Sequence, residues 1–362
     1  MKVLVVNAGS SSLKLQVLDG STEVAGQTIE RWHDSKDLAG LADFIGFVEG
    51  IEAVGHRVVH GGSRYRESVR IDSEVLGYLE SIVDLAPLHE PKAIAAIRKM
   101  QELLPDLPQV ACFDTAFHST IPPAAATYAV PAEWNQRWDL RRYGFHGLSH
   151  AYASRRAAEL LKRDVQSLRI VSCHLGAGAS LCAIRNGMSV DTTMGFTPFE
   201  GLVMATRSGD VDPGLMLWLL QTNRLSVAEL ADGLEFHGGL AGLSGTSGDL
   251  RDVVAAADDG ENNAQLAIDV FVHRLVTEIG RMIVSAGGLD VLLFTGGIGE
   301  HRASVRRKAV ERLAFLGLQV DVELNEASTT DGIVSPAASS SAVVVVTARE
   351  DLQIAQDVTA LV

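Results

Sequence analysis

Cysteine is scarce. The 362 residues hold three, Cys112, Cys173 and Cys182, with neither C-x-x-C spacing nor a Cys/His metal pattern. That excludes a disulfide framework and a zinc knuckle, and it reads as buried, reduced thiols of a cytoplasmic protein. Long apolar runs are missing as well. No stretch approaches the ~18 apolar residues of a membrane span, and the N-terminus has too short an apolar run for a signal peptide, so no membrane partner is expected. Positive charge is short: 31 Lys and Arg stand against 45 Asp and Glu, a net charge of −14. No nucleic-acid partner is expected of such a chain, and an anionic substrate would need local arginines. The patterns G-x-x-x-x-G-K-[ST], G-x-S-x-G and H-E-x-x-H are also absent, which removes P-loop kinases, α/β-hydrolases and zincins.

What is present is the composition of a folded protein, 47% apolar and 21% charged without low-complexity tracts. At this length two domains of roughly 150–200 residues are expected. The chain opens with MKVLVVNAGSSSLKLQVLDG, two apolar strand-like runs around a turn that is longer and more polar than a hairpin needs. Glycine and serine let backbone N–H groups approach an anion there, and Asn7, Ser10, Ser12 and Lys14 add donors, so a phosphate is the expected guest. The pattern recurs about 170 residues later in LRIVSCHLGAGASLCAI (168–184), with NGMSVDTTMG as a further strand, which points to two halves of similar topology. A third glycine-rich turn, DVLLFTGGIGE (290–300), follows a buried-type strand and precedes a helix, where α/β folds place nucleotides.

Amphipathic helical patterns fall at about 72–83, 90–103, 149–163, 262–286, 301–316 and 350–361, with further strands at 53–60, 109–113 and 342–347. Strands alternating with helices predict α/β domains, and the proline-bearing segment 114–148 puts the domain crossing near its start. Polar residues stand in turns at the ends of apolar runs: Asn7, Arg57 in GHRVVHGG, His89 in LAPLHEP, Asp114 in FDTAFH, His146 in YGFHG, Arg207 in ATRSGDVDP and Glu350 in TARED. Each alone has an ordinary structural reading, as a hydrogen-bonded histidine, half of an ion pair or a helix cap. Beside two phosphate-type turns they match what phosphoryl transfer needs, namely cations on the phosphoryl oxygens, carboxylates for Mg²⁺ and orienting donors.

The motifs NAGSSSLK, HRVVHGG, APLH, FDTAFH, YGFHG, CHLGAGAS, MGFTPFEG, TRSGDVDP, SGDLRD and TGGIGE occur in the order expected of acetate kinases, and the chain resembles that family from residue 1 to about 355. The stretch near 20–50 is shorter than is usual there. The resemblance implies two duplicated actin-like (ribonuclease H-like) domains, as in the sugar kinases, heat-shock ATPases and actin, with a nucleotide-binding cleft between them. Residues 1–116 plus 351–362 would form the acyl and phosphoryl side, and 117–350 a nucleotide-binding and dimerisation domain. It implies reversible phosphoryl transfer from ATP to acetate, with ADP and acetyl phosphate as products, Mg²⁺ or Mn²⁺ as cofactor, and a homodimer.

Residue by residue, the likeness gives catalytic roles to Arg57, Asp114, His146 and Arg207, and makes Asn7, Asp114 and Glu350 the metal's neighbours. Acetate would meet Arg57, Val59, Leu88, His89 and Pro198. The nucleotide would meet Asn7, Ser10, Ser12 and Lys14 in the first loop, then His174, Gly176, Ala177 and Gly178 in the second. Asp249, Arg251 and the loop Gly296, Gly297, Ile298, Gly299 and Glu300 would form the adenosine side. Two positions depart from the family pattern, Ala177 and His301, where Asn is usual. Propionate kinase shares every motif, and an actin- or chaperone-like ATPase without an acyl acceptor is the more distant alternative.

Overall fold

The run Val3-Leu4-Val5-Val6 makes β1 (Lys2–Ala8) a strand buried on both faces. Side chains alternate across a sheet, so Val3 and Val5 pack with Ile354, Ala355 and Val358, while Leu4 and Val6 pack on the other side with Ala96 and Met100. Fully burying each such side chain is worth about 1.5–3 kcal/mol. β1 is the centre of a six-stranded sheet that includes β2 (Ser12–Asp19), β3 (Thr22–Glu30), β4 (Ala53–Val58), β5 (Val69–Arg70) and β6 (Gln109–Phe113), in the order β3-β2-β1-β4-β6-β5. β1, β4 and β6 run parallel, and β2, β3 and β5 are antiparallel to their neighbours. This computed structural model describes residues 1–9, 12–30 and 38–362.

A second six-stranded sheet repeats that plan. It comprises β7 (Arg169–Leu175), β8 (Ala179–Arg185), β9 (Met188–Thr192), β10 (Val291–Thr295), β11 (Gly332–Ile333) and β12 (Ala342–Val345), in the order β11-β12-β10-β7-β8-β9. The antiparallel run β7-β8-β9, the parallel run β7-β10-β12 and the antiparallel edge strand reproduce the first sheet strand for strand. The chain is α/β and internally duplicated, as its repeated motif suggests. Its contacts divide it into two compact units, Met1–Ser119 with Phe145–Tyr152 and Arg349–Val362, and Thr120–Gly144 with Ala153–Ala348.

In the second unit the long helix Asn262–Ala286 buries Ala264, Ala267, Ile268, Phe271, Val272, Leu275, Ile279 and Met282. That three-and-four spacing is the core-facing stripe of an amphipathic helix, and it lies on β7, β8 and β9. The pattern read at 301–316 is broken in the structure. Arg302 leaves helical geometry (φ −113°, ψ 78°) and separates Gly296–His301 from Ala303–Arg312, with a 3₁₀ turn at Ala314–Leu316. All three cysteines are buried and outside any disulfide, and Cys182 Sγ lies 3.3 Å from Ser189 Oγ. Among the described residues no helix is long and apolar enough to cross a membrane.

Candidate active site

The parallel register of the first sheet sets Asn7 on β1 beside Arg57 on β4. Asp114 follows β6 directly, its N–H donating to Val58 O at 3.0 Å. Three strand ends therefore deliver an amide, a guanidinium and a carboxylate to one place. Arg57 Nη2 and Nε donate to Asp114 at 2.6 and 3.1 Å, Arg57 Nη1 donates to Asn7 Oδ1 at 3.3 Å, and Glu350 Oε2 lies 4.0 Å from Nη1. Glu350 opens the helix Glu350–Leu361. Burial alone would lower the Arg57 pKa, but Asp114 and Glu350 outweigh it and raise the pKa above its ordinary value. Burial raises the Asp114 carboxyl, Arg57 pulls it back and Glu350 pushes it up again. The bidentate geometry is that of an ion pair.

Gly147 N donates to the Asp114 carbonyl at 2.9 Å, tying YGFHG to FDTAF. His146 sits there at φ +57°, a left-handed conformation that costs a non-glycine residue of order 1–2 kcal/mol. Val59 is buried and Leu88 exposed, while half-buried His89 stands at the N-cap of the helix Glu90–Leu103. Ser12 and exposed Lys14 lie on β2, Lys14 opposite Asn7. Ser10 falls outside the described residues.

The second unit has a cavity of about 400 Å³ lined by Gly176, Ala177, Asp249, Arg251, Gly297 and Ile298 among others. Ala205, Gly248, Leu250, His301 and Arg302 complete its wall. The β7–β8 turn enters through Gly176 N, which donates to Gly178 O, and through the Ala177 carbonyl, which accepts from Ala205 N. Gly296 starts the following helix at φ +77°, and a Cβ there would meet the Leu175 carbonyl at 2.8 Å, so glycine is required. Asp249 caps the helix Leu250–Asp258 by accepting from Arg251 N, and the Arg251 side chain pairs with it. Those hydrogen bonds hold the Asp249 carboxyl down at about 2. His174 lies on β7 between Ser180 and Thr295. Glu300 Oε1 accepts from Ala348 N at 2.9 Å. Arg207 donates from Nη1 to the Pro198 carbonyl at 3.0 Å, and burial lowers its pKa, though an arginine stays charged.

Thus Asn7, Arg57, Asp114 and Glu350 are gathered in the first unit. Ala177, Asp249, Arg251, Gly297 and Ile298 share one wall in the second. Among the described residues no group of three or more His, Cys, Asp or Glu is arranged to hold a metal. Two features escape sequence reasoning. Glu90 beside His89 is fully buried, with Oε1 accepting from His60 N at 2.7 Å. Tyr128, Arg142 and Glu200 interlock around the MGFTPFEG loop. A carboxylate in APLHEP and one in TPFEG are the only signals either gives.

The acetokinase family model matches residues 41–356. The chain belongs to the acetokinase family. It is 41% identical to the acetate kinase of Shouchella clausii, over 98% of each chain. The crystal structure of Porphyromonas gingivalis acetate kinase superposes with a TM-score of 0.92 at 36% identity, covering 99% of both chains. A propionate kinase from Francisella tularensis has the same TM-score and identity over the full length of both. The fold is accordingly the pair of actin-like domains found in acetate kinases.

Proposed function

We propose that this chain transfers the γ-phosphoryl group of ATP to acetate, reversibly, giving acetyl phosphate and ADP. The observation that carries this reading is the Arg57 cluster, a guanidinium with two carboxylates and an amide oxygen in a member of the acetokinase family. An acetate oxygen attacks the γ-phosphorus, and an O–P bond forms as the bond to the ADP oxygen breaks. Acetate is already deprotonated, so no general base is required and Asp114 is free for another task. Nε and one N–H of Nη2 hold Asp114, and Arg57 has further N–H groups for a phosphoryl oxygen. Arg207 and His146 would meet the acyl carboxylate and the equatorial phosphoryl oxygens, and Val59, Leu88, His89 and Pro198 the acyl group.

Asp114 and Glu350, directly or through water, with Asn7 nearby, would hold Mg²⁺ or Mn²⁺. The fit rests on the donor set, which is all oxygen and, with two carboxylates, typical of a cation that keeps waters and substrate phosphates as its other ligands. When bound, the ion supplies charge neutralisation on the β- and γ-phosphates. ATP and ADP would occupy the 400 Å³ cavity, with Asp249, Arg251 and Gly296–Glu300 at the adenosine. His174 and Gly176–Gly178 would line one phosphate loop, and Asn7, Ser10, Ser12 and Lys14 the other. The first unit then carries the phosphoryl side, and the second the nucleotide and a dimer face. Supporting that face, the helices Pro213–Gln221 and Val227–Phe236 bury no residue and leave Leu217, Trp218 and Val227 exposed at 55%, 47% and 72%. Buried thiols outside any disulfide fit a cytoplasmic setting.

Trapping the product with hydroxylamine tests the reading. ATP, Mg²⁺ and acetate are expected to give acyl hydroxamate. Faster product formation with propionate would instead favour the propionate kinase reading suggested by the Francisella neighbour. Phosphate release without hydroxamate would indicate an ATPase of the actin or chaperone type.

A further inference from the structure

We propose that Tyr128, Arg142 and Glu200 form a positioning frame that aims Arg207, so that acetate use depends on three side chains that need not touch substrate. The inference rests on the reading of Arg207 as an anion-binding residue. The two proposed catalytic arginines are held in different ways. Arg57 is fixed by Asp114 and Glu350. Among the described residues Arg207 has no ion pair within 4.0 Å, and its side-chain hydrogen bond goes to the carbonyl of Pro198. Where the guanidinium points therefore depends on where the loop Gly195–Gly201 holds Pro198.

That loop is fixed by the frame. Arg142, nearly buried, donates from Nη1 to the carbonyls of Thr193 and Met194 at 3.1 and 3.2 Å and from Nη2 to Glu200 Oε1. The other Glu200 oxygen accepts from the Tyr128 hydroxyl, which in turn accepts from Phe196 N at 2.8 Å. The Arg142 guanidinium also lies over the Tyr128 ring, 5.6 Å from its centroid. Gly195 has no room for a side chain, since a Cβ would fall 1.8 Å from the Glu200 carboxylate and 2.1 Å from the Tyr128 oxygen. Arg142 thus holds the two residues before the loop, Tyr128 holds Phe196 near its start, and Glu200 ties its end to both. Burial and the Glu200 hydrogen bond push the Tyr128 hydroxyl above its ordinary pKa, which keeps it a donor.

Steady-state kinetics of Tyr128→Phe provide the test, since the change removes one oxygen and keeps the ring. The acetate KM should rise about tenfold, as losing hydrogen bonds of which one is to a charged group permits, while the ATP KM moves less than about twofold. Glu200→Ala should lower kcat/KM for acetate about 30-fold or more, and Glu200→Gln, which can still accept from Arg142 and pair with Tyr128, should recover most of it. In an Arg207→Lys background Tyr128→Phe should add less than it costs alone, because part of its effect passes through Arg207 and only the rest through Pro198 at the acyl group. Acetate and ATP constants that move together, no change in Tyr128→Phe, or full additivity with Arg207→Lys would overturn the proposal. Near-normal acetate kinetics in Arg207→Ala would instead overturn the reading of Arg207 on which the frame depends.

Discussion

Arg57 is both a proposed catalytic group and half of a largely buried ion pair, and the two roles predict separable effects. Arg57→Ala would leave Asp114, 2% exposed, without its cation, at a cost toward the lower end of about 3–5 kcal/mol because the Arg57 side chain is itself 17% exposed. Melting temperature and turnover should both fall. Adding Asp114→Asn should restore much of the melting temperature and none of the turnover, and calorimetry beside the hydroxamate assay would show whether the two separate. Glu90 gives a pH signature. Burial, less the His60 N–H bond, raises its carboxyl from 4.5 to about 8, so the folded state keeps a proton that the unfolded chain loses. Its contribution is full below about 4.5, falls as pH rises toward about 8 and is flat beyond. Glu90→Gln mimics the protonated form, so its melting temperature should match wild type near pH 4.5 and increasingly exceed it toward pH 8. Parallel curves would mean that Glu90 is ionised in the fold. Asn7, Arg57, Asp114 and Glu350 are legible in sequence because each stands where an apolar run gives way to a polar residue. Tyr128 and Arg142 are not, because their shared partner Glu200 is 72 and 58 residues away and only folding pairs them.

At the scale of the element, the β7–β8 turn carries the clearest expectation. Ala177 is exposed on the cavity wall, and its backbone carbonyl accepts from Ala205 N. An asparagine side chain there would add a donor to the nucleotide phosphates, so Ala177→Asn should lower the ATP KM about three- to tenfold, the lower part of what a charged hydrogen bond permits. The acetate KM should stay put. An unchanged ATP KM would remove the turn from the nucleotide site. Strand–turn–strand units are readable because apolar runs bounded by glycine and polar residues carry their own boundaries. The helix Pro213–Gln221 is not, since PGLMLWLLQ is apolar on every side and has no 3.6-residue period to detect. Its neighbour Val227–Phe236 does announce itself through the capping box of Ser226 and Glu229, a signal that periodicity alone passes over.

For the whole molecule, two sheets with one strand order explain why one sequence motif recurs, and why an amide-and-guanidinium strand end in the first sheet has a histidine-and-threonine counterpart, His174 beside Thr295, in the second. The exposed faces of Pro213–Gln221 and Val227–Phe236 predict that the chain is a dimer and that Trp218→Glu shifts it toward monomer in light scattering. A wild-type monomer at micromolar concentration would contradict the dimer. The central claim is that the γ-phosphoryl goes to a carboxylate and not to water. Phosphorus NMR of the purified chain with ATP, acetate and Mg²⁺ follows both fates at once. Acetyl phosphate should appear one for one with ADP, and only when acetate is present. Inorganic phosphate appearing one for one with ADP, with or without acetate, would contradict the account.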